Sequence, residues 1–586
     1  MEVTHWSLIR EVPRKMHKIS KFGFPGEVLG SDFAGLGHTG NFRLRADRGL
    51  ADGGATPNVP IRQCFSRSLF CLRFSMPTFR SRLLFSGVLL WTLTARADVT
   101  LAPLFRDGAV LQQGKPVPVW GRAAAGEKVS VAFGGQTVGA TAGADGRWTV
   151  VLAPIAASAV GADLVARGQN VVIVHDVVVG EVWLCSGQSN MEWPVERAQD
   201  AATEIAATHY PLIRQIQIQQ TVADTPRDAV GGEWQAASPA TVGKFTAVGY
   251  FFARDLFQKL GVPIGIVHSS WGGTPIESWL SPAALASNPA FQVVSERWRK
   301  NLAEYPASKA AYDATIAGWT KAEAAAQARS AAAHADFIKR QPRPRAARGP
   351  GDSWTPTGPF NGMISPLLPY ALRGVLWYQG ESNSERPSEY RALFAALITY
   401  WRAHFGQGDL PFYWVSLANY KMPSDPTGVA FAFLREAQAQ VLALPNTGQA
   451  LTIDIGSPDT IHPTNKQEVG RRLALIAKAR IYHIPCDWSG PVFAGATPER
   501  GAMRVRFAHD EGGLVAHNRP VQSLEVAGAD RKFHPAQGRI EGSTLVVSAR
   551  EVPAPVAVRY AWKNAPDANL FNGAGLPAAP FRSDNW

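Results

Sequence analysis

Cysteine is nearly absent from this sequence, with four in 586 residues and two of those within the first 97. A chain of this length does not rest on a disulfide framework. Cys185 and Cys486, the two in the remainder, read as small buried hydrophobes rather than a bonded pair. Charged residues are also sparse, at 18%. The net charge of +12 suggests a polyanionic partner until it is located: residues 1–97 hold 14 Lys/Arg against 6 Asp/Glu, so +8 lies there and +4 in the rest. No basic stripe with interleaved aromatics follows, which argues against nucleic-acid binding. No run of about 20 consecutive apolar residues is present, so nothing reads as a membrane-spanning helix. No repeat of about 20–50 residues is evident.

What remains is the composition of a globular protein, 46% hydrophobic with 18 tryptophans, long enough for about two to four domains. The first sixth differs from the rest, being Gly- and Arg-rich without sustained periodicity. From Met76, MPTFRSRLLFSGVLLWTLTARADV carries Arg80 and Arg82, an apolar stretch from Leu83 to Ala95, and Ala95-Arg96-Ala97 as a cleavage site. That is the layout of a secretory signal peptide over 76–97. The expectation is that Met76 is the start, that 1–75 is an over-extended, disordered reading frame, and that an exported, periplasmic or extracellular, protein begins at Asp98. Within 1–75, GLGHTG (Gly35 to Gly40) matches a dinucleotide-binding pattern. It follows no strand and opens no helix, so it reads as chance.

From 98 to 178, short apolar runs such as VPVWG, KVSVAF and GRWTVVL recur between Gly, Pro and Asp, predicting a small β-sandwich. Residues 485–586 repeat that style and predict a second β-rich module. Between them, over 179–484, strands alternate with helices, which predicts a parallel sheet covered by helices. The expected strands are 179–185, 262–269, 373–379, 411–417 and 450–455. An Ala-rich helical insertion at about 285–355 ends in the linker QPRPRAARGPGDSW.

In a parallel sheet, ligands bind where the strands end at their carboxyl termini. Four of the five expected strands, the first three and the last, hand a polar, Gly-bearing loop to that edge: Gly187-Gln188-Ser189-Asn190, then SSWGGTPIESW, then WYQGESN, then GSPDTIHPTNKQEVG. Together they supply a hydroxyl, backbone N–H groups, side-chain amides and a carboxylate–imidazole pair, the parts needed for acyl transfer. Ser189 is the candidate nucleophile and His462 its base, with Asp459 fixing the imidazole tautomer. Pro463 is expected to open the following helix. The N–H groups of Ser189 and of Gly272 or Gly273 suit an oxyanion hole, completed by an amide from Gln379 or Asn383. Glu381 is expected to be a hydrogen-bond partner behind the reacting groups, and Glu192 to support the loop or be solvated. Trp193, Trp271 and Trp377 are candidate sugar-stacking residues.

LCSGQSNMEW, WGGTPIESW, NGMISPLLPYALRGVLWYQGESN and DTIHPTNKQEVGRRLA resemble the blocks of the SGNH hydrolase superfamily, in its sialate O-acetylesterase-like branch. LFRDGAVLQQGKPVPVWG and NLFNGAGLPAAPFRSDNW fit that branch too, so the resemblance covers most of 98–586. It implies a flavodoxin-like three-layer α/β/α domain with β-sandwich modules at both ends, and neither metal nor other cofactor. It implies hydrolysis of sugar O-acetyl groups by Ser189, Asp459 and His462. Where the superfamily places its oxyanion Asn, this chain has Gln379, which favours Gln379 over Asn383. The expected substrate is acetylated plant hemicellulose, xyloglucan or xylan, with O-acetyl sialate as the alternative. A catalytically silent carbohydrate-binding protein is the rival of another class, and a lipase or thioesterase the rival enzyme. The partner expected is thus an acetylated saccharide, with no nucleic acid and no membrane span after signal cleavage.

Overall fold

The computed structural model describes residues 98–586. The readings made on 1–75 and 76–97 lie outside the described residues. Eight strands come first: β1 (Thr100–Leu101), β2 (Val110–Gln112), β3 (Val117–Arg122), β4 (Lys128–Phe133), β5 (Gln136–Thr141), β6 (Arg147–Leu152), β7 (Ser158–Arg167) and β8 (Val171–Gly187). In β6 the side chains alternate exposed and buried at every residue, the period-two pattern of a sheet with one wet face. β8 begins in that style, paired antiparallel with β7, but is buried without interruption from Val177 to Gly187. That continuous burial is what a strand covered on both faces requires. The boundary expected at 178/179 therefore falls inside one strand. No linker separates the N-terminal strands from the sheet that follows.

β8 is the central strand of that sheet. It runs β10–β9–β11–β8–β12–β13–β14, with β9 (Tyr210–Gln217), β10 (Trp234–Ala237), β11 (Ile264–Ser270), β12 (Gly374–Tyr378), β13 (Phe412–Val415) and β14 (Thr447–Ala450). Every pairing from β9 to β14 is parallel, and β10 joins antiparallel at the edge. Four expected strands coincide with β8, β11, β12 and β13. The fifth lies a few residues upstream, at Thr447–Ala450, because residues 451–455 turn toward the site. β9 and β10 were not expected. In β9, Arg214 and Gln215 are buried within YPLIRQIQ and break the apolar signal. Arg214 is satisfied by the carbonyls of Gly108 and Asp176, and Gln215 by the N–H of Thr246.

The helices are α1 (Ser189–Glu192), α2 (Ala201–Ala206), α3 (Ala247–Leu260), α4 (Pro282–Ala286), α5 (Gln292–Arg329), α6 (Ala331–Arg340), α7 (Pro387–Phe405), α8 (Ala430–Ala439) and α9 (Lys466–Arg480). One core cluster joins α3 and α9 to Trp183, Cys185, Ile264, Ile266 and Tyr413; another joins α7 and α8 to Leu184, Val267, Trp377 and Trp414. Alternate residues of each strand thus point to opposite apolar layers, and helices cover both faces of the sheet. α5 and α6 form the expected insertion; α5 buries only Val294 and Ala326 along its length. Two four-stranded antiparallel sheets within 492–582 enclose a third core. No helix among the described residues is long and apolar enough to cross a membrane. Cys185 is buried and Cys486 half-buried, and the two are not bonded.

Candidate active site

β8 lies between β11 and β12, where the chain stops adding strands on one side and begins on the other; in parallel sheets such a switch point opens a crevice. The register sets three loops at one level, since Gly187 is the partner of both Ser270 on β11 and Tyr378 on β12. Gly187 has φ +132°, and a Cβ there would collide with the Tyr378 carbonyl. Only glycine lets β8 end this close to β12 and turn at once into α1. Ser189 is the first residue of α1 and is partly exposed, while its neighbours Gln188 and Asn190 are buried.

Ser189 Oγ lies 2.8 Å from His462 Nε2. The two are 273 residues apart in sequence, so the loop after β14 brings the imidazole to the serine hydroxyl. The His462 ring is held from the side by Trp193, stacked at 5.0 Å and 22°. Trp193 in turn donates its indole N–H to the Arg197 carbonyl. It therefore supports the base, whereas the sequence suggested a sugar platform. Trp377 is a clearer correction: it is fully buried among Trp279, Phe394 and Trp401 beneath the sheet and cannot meet a ligand. Trp271 is half-buried on the second loop, with its backbone N–H on the Gly187 carbonyl.

Asp459 is not where the D-x-x-H spacing suggested. Its side chain is 85% exposed and faces Lys421 at 3.7 Å, and it makes no hydrogen bond to His462. The loop turns at 457–460, directing the carboxylate outward.

The side-chain amides proposed for the oxyanion hole are also used elsewhere. Gln379 Nε2 donates to the Thr274 carbonyl and to Asn383 Oδ1 at 2.7 Å, and Asn383 Nδ2 donates to Glu277 Oε2 at 2.7 Å. Asn383 Oδ1 also accepts the Ile276 N–H. Both amides are buried ties between the second and third loops. The Gly272 N–H is taken by the Glu192 carboxylate at 2.5 Å, so Glu192 supports the second loop. Among the described residues, the N–H groups of Ser189 and Gly273 are left without an acceptor.

Several residues at the site carried no signal that the sequence reading used. Gln188 Oε1 accepts the N–H groups of Gly380 and Ser382, pinning the third loop to the nucleophile loop. Trp354, at the end of the helical insertion, donates its indole N–H to the Gly273 carbonyl at 2.8 Å. Lys466 is fully buried and donates to Asn190 Oδ1 at 2.5 Å. Asn190 Nδ2 passes the contact to Glu381 Oε1 at 2.6 Å and to the Ile461 carbonyl. Glu381 thus lies beyond Asn190, with its other oxygen buried and unpartnered. The spacing of Lys466 four residues after His462 was the available signal.

α9 starts at Lys466, capped by Asn465 through the Glu468 N–H, rather than at Pro463. Its first-turn position sets a cation at the positive end of a helix dipole. Burial pushes the Lys466 ammonium down to about 7, with Glu381 opposing. Burial also raises the Glu381 carboxyl. The His462 imidazole is held below its usual value, first by burial and then by the Lys466 charge. His462 must be neutral to accept the serine proton, so the acid limb of kcat/KM is expected to lie below about 6.5. In that window Lys466 is protonated. Lys466→Met removes the repelling charge, eases protonation of His462, and is expected to move the acid limb upward. A pH–rate profile on a small acetyl ester checks it; an unmoved limb would show that Lys466 does not act on His462.

Among the described residues no group of three or more His, Cys, Asp or Glu side chains could hold a metal ion. The arrangement offers a serine hydroxyl within hydrogen-bond reach of an imidazole, and two free N–H donors.

A family model described as carbohydrate esterase, sialic acid-specific acetylesterase, matches residues 179–333 and 354–478. The chain is 30% identical to the sialate O-acetylesterase of Rattus norvegicus over 554 residues, covering 84% of this chain and 97% of that one. Against the sialate O-acetylesterase of Mus musculus it is 30% identical, covering 70% of this chain and 78% of that one. Among solved structures, a carbohydrate acetylesterase from Xanthomonas citri is 40% identical with a TM-score of 0.70, the match covering 83% of this chain and 100% of that one.

Proposed function

Because the chain belongs to the sialic acid-specific acetylesterase family of carbohydrate esterases, and is thus a carboxylic ester hydrolase, we propose that Ser189 performs the hydrolysis on O-acetylated sugars through an acetyl-enzyme. The observation that carries this is the 2.8 Å contact of Ser189 Oγ with His462 Nε2 at the carboxyl end of the central strand. His462 Nε2 takes the Ser189 proton as Oγ bonds to the acetyl carbon. The negative carbonyl oxygen is met by the N–H groups of Ser189 and Gly273. The acetyl–sugar C–O bond then breaks, with the sugar oxygen taking the proton back from His462. A water, deprotonated by His462, attacks acetyl-Ser189; acetate leaves and Oγ regains its proton. An intact Ser–His pair argues against the silent binding-protein reading. Helices on both faces of the parallel sheet support assigning this unit to the SGNH, flavodoxin-like fold.

O-acetyl sialate is the first substrate class, on the strength of the sialate O-acetylesterases the chain is similar to. Acetylated hemicellulose is a second reading with its own observation: most cations near the site are spent, Lys421 on Asp459 and Arg348 on Asp352, with Lys466 buried, and Arg197, 5.8 Å over the Trp193 ring, is left without a carboxylate partner among the described residues. A neutral sugar would suit such a mouth. The test is acetate release from O-acetyl sialate, acetylated xylan and acetylated xyloglucan, with Ser189→Ala as the blank. Release from one class above the blank identifies the substrate; none from any sugar, with small acetyl esters still cleaved, would remove the carbohydrate assignment. Export of the chain is part of the same proposal, and N-terminal sequencing of secreted protein checks it.

A further inference from the structure

Away from the catalytic loops, a cleft of about 850 Å³ opens between the N-terminal strands and the parallel-sheet unit. Arg106, Arg122, Arg147 and Arg227 line it with one acid, Asp228. Arg122 on β3 and Arg147 on β6 are direct cross-strand partners. Like charges in that relation destabilise a sheet, so the pair is a local cost that the fold itself does not need. Asp228 offsets part of it, accepting from Arg122 and from Arg147 at 3.0 Å, and the two guanidiniums hold its carboxyl below the usual range. Arg106 and Arg227 have no carboxylate partner among the described residues. Asp145 pairs with Arg147 at 3.8 Å from outside the lining, so the cleft carries an excess of two positive charges.

The chain at the two unpaired arginines is anchored. Arg106 Nε donates to the Pro103 carbonyl at 3.0 Å. The backbone of Arg227 is fixed on both sides, by the Asn361 carbonyl and the Ser365 hydroxyl. The half-buried Trp120 ring shares the wall, packed near the buried Trp148. Trp120 is braced edge-on by Phe105 at 5.1 Å. A Cβ on Gly121 would run into the Thr100 carbonyl and the Trp148 ring, so the wall is close-packed. Guanidinium forks suit a planar carboxylate, and indole rings suit the face of a sugar.

One segment of the chain links the cleft to the active-site loops. The segment from Trp354, on the Gly273 carbonyl, reaches the cleft at Ser365 after 11 residues, a separation of at most about 40 Å. One oligosaccharide chain can span such a distance.

We propose that this cleft is a second saccharide site that takes a carboxylate-bearing sugar unit and thereby holds an acidic, acetylated glycan near Ser189. The proposal rests on the reading of the chain as a glycan deacetylase. Binding of one unit would raise the effective concentration of neighbouring acetyl groups at the nucleophile.

The experiment uses the full chain with Ser189→Ala, so that ligands stay intact. A sialylated oligosaccharide, a glucuronate-bearing xylo-oligosaccharide, a neutral xylo-oligosaccharide and inorganic phosphate are titrated by calorimetry. They are titrated again in the same chain carrying Arg106→Ala and Arg227→Ala. The expected result is at least a tenfold loss of affinity for one or both acidic oligosaccharides, weaker binding at high salt, and the same neutral-sugar affinity in both chains. Which acidic sugar binds distinguishes the sialate source from the uronate source. Equal binding of the acidic sugars to both chains, no binding of either, or phosphate binding as tight as theirs would overturn the proposal. Should the double variant not fold, protection of Arg106 and Arg227 from phenylglyoxal by the acidic sugar reads the same contact in the unsubstituted arginines; absence of protection counts against it. Hydrolysis of a small aryl acetate by the unmutated chain reports the esterase reading separately, so failure of one is distinguishable from failure of the other.

Discussion

Ser189→Ala and His462→Ala are each expected to lower kcat by about 10⁴–10⁶, whereas Asp459→Asn should cost only a few-fold. The contrast follows from geometry. Ser189 and His462 are in hydrogen-bond contact, and removing either leaves only binding and the N–H donors to lower the barrier. Asp459 is 85% exposed against Lys421, in water and beside a cation, where a carboxylate does little for an imidazole it does not touch. What holds His462 instead is Trp193 against the ring and the Asn190 contact with the Ile461 carbonyl. Steady-state kinetics on a small acetyl ester, with melting curves to confirm folding, would measure all three. A loss near 10⁴ for Asp459→Asn would mean that the 457–460 turn swings the carboxylate onto Nδ1 during turnover.

Gly187→Ala is expected to be strongly damaging at the site. Its φ of +132° is strained for any side chain, and the new Cβ would press on backbone atoms of Tyr378, which cannot rotate aside. Strain and overpacking together are expected to cost about 3–5 kcal/mol, and what folds should have Ser189 displaced. Gly272→Ala provides the comparison, because its nearest obstacle is the Glu192 carboxylate at 2.9 Å, the end of a flexible side chain. Denaturant unfolding, with titration of the nucleophile by an organophosphorus ester, separates lost stability from lost geometry. A Gly187→Ala chain as stable and as reactive as the parent would refute the requirement for close approach of β8 and β12.

The strand–helix alternation, the loops at the carboxyl ends of β8, β11 and β12, and the pairing of Ser189 with His462 were all legible in the sequence. Each is written in local pattern. A strand buried on both faces must be continuously apolar, and a nucleophile must follow it on a Gly-containing turn. β9 was illegible because its buried Arg214 and Gln215 find partners only in the tertiary structure. The boundary after residue 178 was misplaced for a related reason. A change in style from alternating to continuous burial looks like a domain border in sequence, yet here it marks where one strand passes from a sheet with an exposed face into a covered one.

The sequence by itself determined the chemistry available: a serine, a histidine, backbone donors and the family motifs that hold them, because those depend on residue type and short spacing. Only the tertiary structure decided which groups meet. Gln379, Asn383 and Gly272 each had a donor to offer, and each is spent on Thr274, Glu277 or Glu192. Asp459 had the right spacing and the wrong direction. Lys466 looked like an ordinary first-turn residue and is instead a buried cation behind the nucleophile. Hydrogen-bond partnership depends on distances of a few ångströms between residues hundreds of positions apart, and packing alone sets those.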